Sequence, residues 1–236
     1  MTNLSSSDNF FIQLPSRGFI YIEGNERFDF LQKLITNDVD LLQTQASIYA
    51  CLLTPQGKFL HDFFVSQGPE SLILECEGGE RAQDLYRRLT QYKLRADIRL
   101  SVEENNPVYI CFGETPHPGY ADTRHKGLGW RSLSKPENLK EEPYELWDRL
   151  RINLEIADGS RDAVLERSTL EELNITKHNG VSFTKGCYIG QELTARVENR
   201  GLAKKHLKMV QIDQDNTPDH DLRSSCYDIG LAVIRD

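Results

Sequence analysis

Residues 185–196 read KGCYIGQELTAR. Cys187 stands between a lysine and a tyrosine, framed by Gly186 and Gly190. A cysteine packed as a small core hydrophobe needs no glycines beside it, and a metal site would want a second cysteine two to four residues away, which is missing. Two glycines and several polar residues suit a ligand-facing loop. Thiol reactivity follows stabilisation of the thiolate. Lys185 lies two residues away, Arg196 follows one to two turns on if 189–197 is helical, and the amides opening such a helix favour negative charge. The plainer alternative, a buried structural cysteine, stays open on these residues alone.

Downstream, residues 196–208 carry Arg196, Arg200, Lys204, Lys205 and Lys208 against one acid, Glu198, a local charge of +4 in a chain of net charge −8. The run reads either as a solvated basic face or as an anion site beside the cysteine loop. The whole chain, 236 residues with 39% hydrophobic and 27% charged residues, is long enough for a folded core. Its acidity argues against direct nucleic-acid binding. Its apolar runs are far shorter than the ~20 residues that span a bilayer, and MTNLSSSDNF lacks a secretory pattern. Five widely spaced cysteines without CxxC point to a reducing, cytoplasmic setting rather than a disulfide framework. No HxH or HExxH spacing supports a metal site.

Upstream, 18–23 alternates as a strand, and 25–35 has helical spacing with Asn25 as N-cap. Residues 47–54, 58–67 and 71–78 read as strands joined by turns, followed by a helix over 79–95 with Asp84 and Arg88 paired at i,i+4, and a strand over 97–104. Strands are expected at 108–113 and 129–133, a turn-rich loop at 117–129, and a helix over 143–156 opened by Pro143. Ser168–Glu171, or Thr169–Glu172, has the form of a capping box before a short helix at 169–175. Two alternating strands, 207–212 and 229–235, flank a loop. His61-Asp62 sits mid-strand with the two side chains on opposite faces, so that Asp62 can meet a bound amine or simply pair at the surface.

KGCYIGQELTAR, with the preceding GVSF and the following KKHL, resembles the signature of the YgfZ family, folate-binding proteins related to the aminomethyltransferase (T-protein) of the glycine cleavage system. RGFIYIEGNERFDFLQKLITNDV at 17–39, YACLLTPQGKFLHDFFV at 49–65 and LRINLEI at 150–156 extend the likeness over most of residues 17–208. The T-protein's acidic pair is matched by His61-Asp62. The resemblance implies an α+β fold: a three-part ring with antiparallel sheets packed by helices and a shortened C-terminal β-domain. The parts are expected at 1–46 plus 112–200 (folate-binding type), 47–111 (ferredoxin-like) and 201–236.

It also implies tetrahydrofolate, or a one-carbon derivative, as cofactor and iron–sulfur client proteins as partners, without membrane or nucleic-acid contact. Cys187 and Lys185 carry over as the chemical residues. Asn37, Asp38, Arg151, Tyr188, Gln191, Glu192 and Arg196 carry over as cofactor-binding, with no resident metal. The expected function is a folate-binding accessory factor for assembly or repair of iron–sulfur proteins, including radical tRNA-modifying enzymes. The alternative is a tetrahydrofolate-dependent aminomethyl or one-carbon transferase using Asp62, and a third reading is an interaction module alone.

Overall fold

A computed structural model describes residues 9–113, 119–200, 205–212 and 221–235, with the side chains of 197–200 left aside. The chain runs β1 (Phe10–Gln13), β2 (Arg17–Glu23), α1 (Arg27–Gln32), β3 (Ser47–Leu53), β4 (Phe59–Gln67), β5 (Ser71–Glu77), α2 (Glu80–Lys93), β6 (Arg99–Asn106), β7 (Tyr109–Phe112), β8 (Tyr120–Ala121), β9 (Trp130–Ser132), β10 (Lys140–Glu142), α3 (Tyr144–Asn153), α4 (Gln191–Arg200), β11 (Lys205–Gln211), β12 (Asp221–Cys226) and β13 (Ile229–Arg235).

The central sheet has the order β3-β4-β5-β2-β6 and is antiparallel throughout. Both of its faces are covered, which is why SIYACLL reads as one apolar run rather than an alternation. Ile48, Ala50 and Leu52 of β3 face a core shared with α1 and with Ala82, Leu85 and Leu89 of α2. Tyr49, Cys51 and Leu53 face a second core that takes in Leu170, Leu173 and the inner side chains of the sheet β11-β13-β12. The sheet β10-β1-β7-β9-β8 packs Phe10, Ile12 and Ile110 against Trp147 of α3. All its pairs are antiparallel except β1 with β10.

Hydrogen bonding redraws the expected division. β2 lies between β5 and β6, so a boundary at 46/47 cuts through the central sheet, and a boundary at 111/112 falls inside β7, which pairs with β1 and β9. Local readings shift in smaller ways. Asn25 does not cap α1; its amide donates to Asp97 and the helix opens two residues later. Residues 169–175 form successive turns instead of a helix, although the Thr169 hydroxyl does accept the Glu172 amide at 3.2 Å. Pro143 is the N-cap of α3, which ends at Asn153.

His61 is no surface residue. It is 2% exposed, and its Nε2 lies 2.8 Å from Asp84 Oδ2. Burial, then the nearby Arg81, lowers its pKa to about 4, and burial followed by Lys177 does the same for His178. An unfolded histidine titrates near 6.5, so between about 6.5 and 4 the unfolded chain takes up protons that the native one refuses. Stability therefore rises with pH across that window and levels off above it. Between pH 5 and 7 the His61 contribution amounts to about 2 kcal/mol. Urea midpoints at the two pH values should show that slope in the wild type and a shallower one in His61→Gln.

Candidate functional site

Four of the five cysteines are buried and Cys187 alone is exposed. Burial pushes the Cys76 thiol up to about 12 and the Cys111 thiol to about 11, which leaves them protonated and inert at neutral pH. The segment carrying Cys187 has no regular structure before α4, so its position depends on individual anchors. The Ser182 amide donates to Thr36 O at 3.0 Å and the Ile189 amide to Lys33 O at 3.3 Å. Lys185, 7% exposed, donates through Nζ to Gln32 O at 2.8 Å, Ile35 O at 2.8 Å and Asn37 O at 2.7 Å.

An ammonium has three protons, and all three are taken by main-chain carbonyls. Lys185 is thus turned away from the activating role toward Cys187 that proximity in sequence suggested. Burial lowers its pKa to about 8 against the opposing pull of Asp38 and Asp40, so it stays charged at neutral pH.

The two glycines differ in purpose. Gly190 has φ +84°, and a Cβ there would come within 2.6 Å of Thr54 O, so this position requires glycine. At Gly186 a Cβ would meet nothing within 4 Å, which leaves the backbone beside Cys187 open to an approaching molecule.

Asn37, Asp38, Tyr188, Gln191, Glu192 and Arg196 all lie on this loop, on α4 or on the corner beneath it, but mostly as supports. The Asn37 amide donates to Tyr49 O and Asn179 O, both at 2.8 Å. Asp38 accepts from Gln32 Nε2 and from the Asp40 amide. Tyr188 is 7% exposed, with the Lys185 ammonium 5.3 Å from its ring centroid. Gln191 opens α4, and Glu192 pairs with Arg196 at 2.6 Å one helical turn along. Arg151 is elsewhere: it is fully buried in α3 and bonded to Asp148, Asp162 and Ser224. In the basic run, Lys208 pairs with Glu155 at 3.6 Å, and the side chain of Arg200 and residue Lys204 lie outside the described residues.

A cavity of about 300 Å³ opens between the central sheet and α3, lined among others by Arg17, Asp62, Phe64, Arg124, Trp147 and Asp158. None of the sequence-predicted site residues above lines it. Asp62 does, on the opposite face of β4 from His61. The Tyr49 hydroxyl donates to Asp62 Oδ2 at 2.8 Å, and burial raises the Asp62 carboxyl despite that bond. Behind Asp62, Glu75 and Asp122 hold Arg131, and Asp122 holds Arg124. Arg17 uses only Nε for hydrogen bonding, to Glu75 at 2.9 Å; its two terminal nitrogens make no hydrogen bond among the described residues, while Asp158 and Asp62 attract its charge. The Trp147 indole N–H is buried without a hydrogen-bond partner among the described residues.

No family model matches the chain. It is 30% identical over 241 residues to the iron–sulfur cluster assembly factor IBA57 homolog, mitochondrial, of Chaetomium globosum, covering 83% of this chain and 54% of that protein. It is 28% identical over 238 residues to the mitochondrial iron–sulfur cluster assembly factor IBA57 of Mus musculus, covering 85% and 66%. Against the human protein of the same name it is 29% identical over 233 residues, covering 84% and 65%. The chain spans about half the length of the fungal relatives it matches.

The glycine cleavage system aminomethyltransferase T of Bartonella henselae superposes with a TM-score of 0.67 at 13% identity, covering 97% of this chain and 79% of that one. That likeness establishes the fold. The expectation of a cytoplasmic protein is overturned, because these relatives are mitochondrial proteins. The YgfZ resemblance is likewise refined: this chain has the aminomethyltransferase fold, and its sequence is similar to that of mitochondrial iron–sulfur cluster assembly factors.

Proposed function

We propose that the chain acts in mitochondria as an accessory factor in iron–sulfur cluster assembly, serving client proteins that include radical tRNA-modifying enzymes. It offers the Cys187 thiolate to a cluster held jointly with a partner. The observation that carries this reading is the placement of the cysteines: four are sealed in the core and the fifth stands on an anchored, open loop. Among the described residues no group of three or more histidines, cysteines or acids is placed to hold a metal. A cluster needs about four ligands, so one thiolate implies that the others come from elsewhere.

This reading assigns the cavity to a folate, as the resemblance to folate-binding proteins implies. The cavity has the volume of a small-molecule site, apolar lining from Phe64 and Trp147, the terminal nitrogens of Arg17, free of hydrogen bonds among the described residues, for an acceptor or carboxylate, and the Asp62 carboxylate for an amine or N–H edge. Tetrahydrofolate, when bound, supplies the capacity to carry a one-carbon unit. The chain's own share is to orient the ligand between these groups and to exclude water. The raised Asp62 carboxyl in the cavity also favours a second reading, aminomethyl or one-carbon transfer with Asp62 meeting the amine. Turnover across a panel of aminomethyl and N-methyl donors, lost in Asp62→Asn, supports it, and no turnover with folate saturating removes it.

Cys187→Ala tests the main reading. Cluster assembly on a client should fall at least 100-fold, to the rate without the factor. Tetrahydrofolate affinity should stay within about twofold and the melting temperature should not move, because the side chain is exposed. Full assembly activity in this variant removes the thiolate role. Absence of binding heat with the wild type removes the folate.

A further inference from the structure

We propose that Lys185 is a positioning residue, a clamp that fixes where the Cys187 thiol stands rather than how strongly it ionises. The purpose assigned to the clamp rests on the function proposed above. α1 is short, and its final turn leaves carbonyls that the helix cannot satisfy. The Lys185 ammonium closes three carbonyls of this region at once, those of Gln32, Ile35 and Asn37. It reaches them across about 150 residues of sequence, so it joins two otherwise separate segments.

Two residues on, Cys187 is exposed, and a Cβ on the glycine between them would point into open space, so that side of the backbone at Gly186 is uncovered. On the far side, Tyr188 is buried with its ring against the same ammonium. The thiol therefore sits on a short span between two fixed points, Lys185 and Tyr188. A lysine suits the first point because a compact ammonium can meet three converging carbonyls. The planar fork of an arginine cannot.

A nitroxide attached to Cys187, the accessible thiol among the five, reads the span directly. The wild type should give the spectrum of a restrained label. At a temperature well below either variant's unfolding midpoint, which falls because buried carbonyls lose their donor, Lys185→Met and Lys185→Arg should both shorten the label's rotational correlation time severalfold and slow cluster assembly about tenfold. In both variants the pH profile of Cys187 alkylation should match the wild type. Lys185→Arg keeps the positive charge, so it separates placement from electrostatic activation: a restrained label in Lys185→Arg together with a shifted alkylation profile in Lys185→Met overturns the clamp.

If Lys185→Met fails to fold, Lys185→Arg and its label spectrum decide alone. Label mobility is measured without any cluster. Loosened labels with unchanged assembly therefore uphold the clamp while counting against the thiolate function, and unchanged labels overturn the clamp whatever the assembly rate.

Discussion

Glu75→Gln is expected to destabilise the protein by about 3–5 kcal/mol, the cost of leaving buried charge without its partner. Glu75 is 1% exposed and projects from β5 toward the strands of another sheet. Its Oε1 accepts Arg17 Nε from β2 at 2.9 Å and an Arg131 Nη from β9, and its Oε2 accepts Arg131 Nε at 3.0 Å and the Tyr120 hydroxyl from β8 at 2.6 Å. Burial by itself would raise this carboxyl. Arg131 and Arg17 outweigh it and hold the pKa at about 2. A depressed carboxylate contributes stability that is complete above the unfolded value of 4.5 and is lost as pH falls through about 2.

Glutamine keeps the shape and removes the charge, so two guanidiniums remain in the interior facing a neutral amide. The urea midpoint should drop with little change in slope. Pairing the change with Arg131→Met should recover much of the loss, since removing both charges is far less costly than removing one. If Glu75→Gln alone lies within 1 kcal/mol of the wild type, the network is more hydrated than its geometry indicates.

This network also shows where sequence reading reaches its limit. β2 to β5 and α2 were legible because apolar alternation, turn residues and helical spacing are local signals. β10, KEE, has no apolar pattern and exists only because it lies beside β1; β12, DLRSSC, is a largely polar edge strand and read as loop. The cavity was hidden for a related reason. Arg17, Arg124, Arg131, Trp147 and Asp158 stand at no characteristic spacing and meet only through pairing of distant strands. Asp62 was visible because alternation along one strand set it opposite His61. The thiol loop was legible as a unit since its glycines and cysteine are contiguous, yet the role of Lys185 was not, because its acceptors are carbonyls, which every residue possesses.

Arg151 gives the sharpest test of whether a residue carried over from a family pattern serves the ligand or the fold. Arg151→Met is expected to lower stability by about 3–5 kcal/mol. The side chain is 0% exposed, with Nε to Asp148 Oδ1 at 2.7 Å, Nη1 to Asp162 Oδ2 at 2.6 Å and to Ile156 O at 3.1 Å, and Nη2 to Ser224 Oγ at 3.0 Å. These bonds join α3 to the turn after it and to β12. Methionine fills much of the volume but leaves the Asp162 carboxylate buried without its cation, while Asp148 keeps Arg161.

The connection to the cavity is indirect. Asp162 also accepts the Asp158 amide at 2.8 Å, and Asp158 lines the cavity. If tetrahydrofolate is the ligand, as proposed above, the variant should therefore bind it below its melting temperature within a fewfold of the wild type, with the loss confined to the unfolding midpoint. A tenfold weaker affinity at an unchanged midpoint would mean that Arg151 meets the ligand after all, which would require α3 to open toward the cavity on binding.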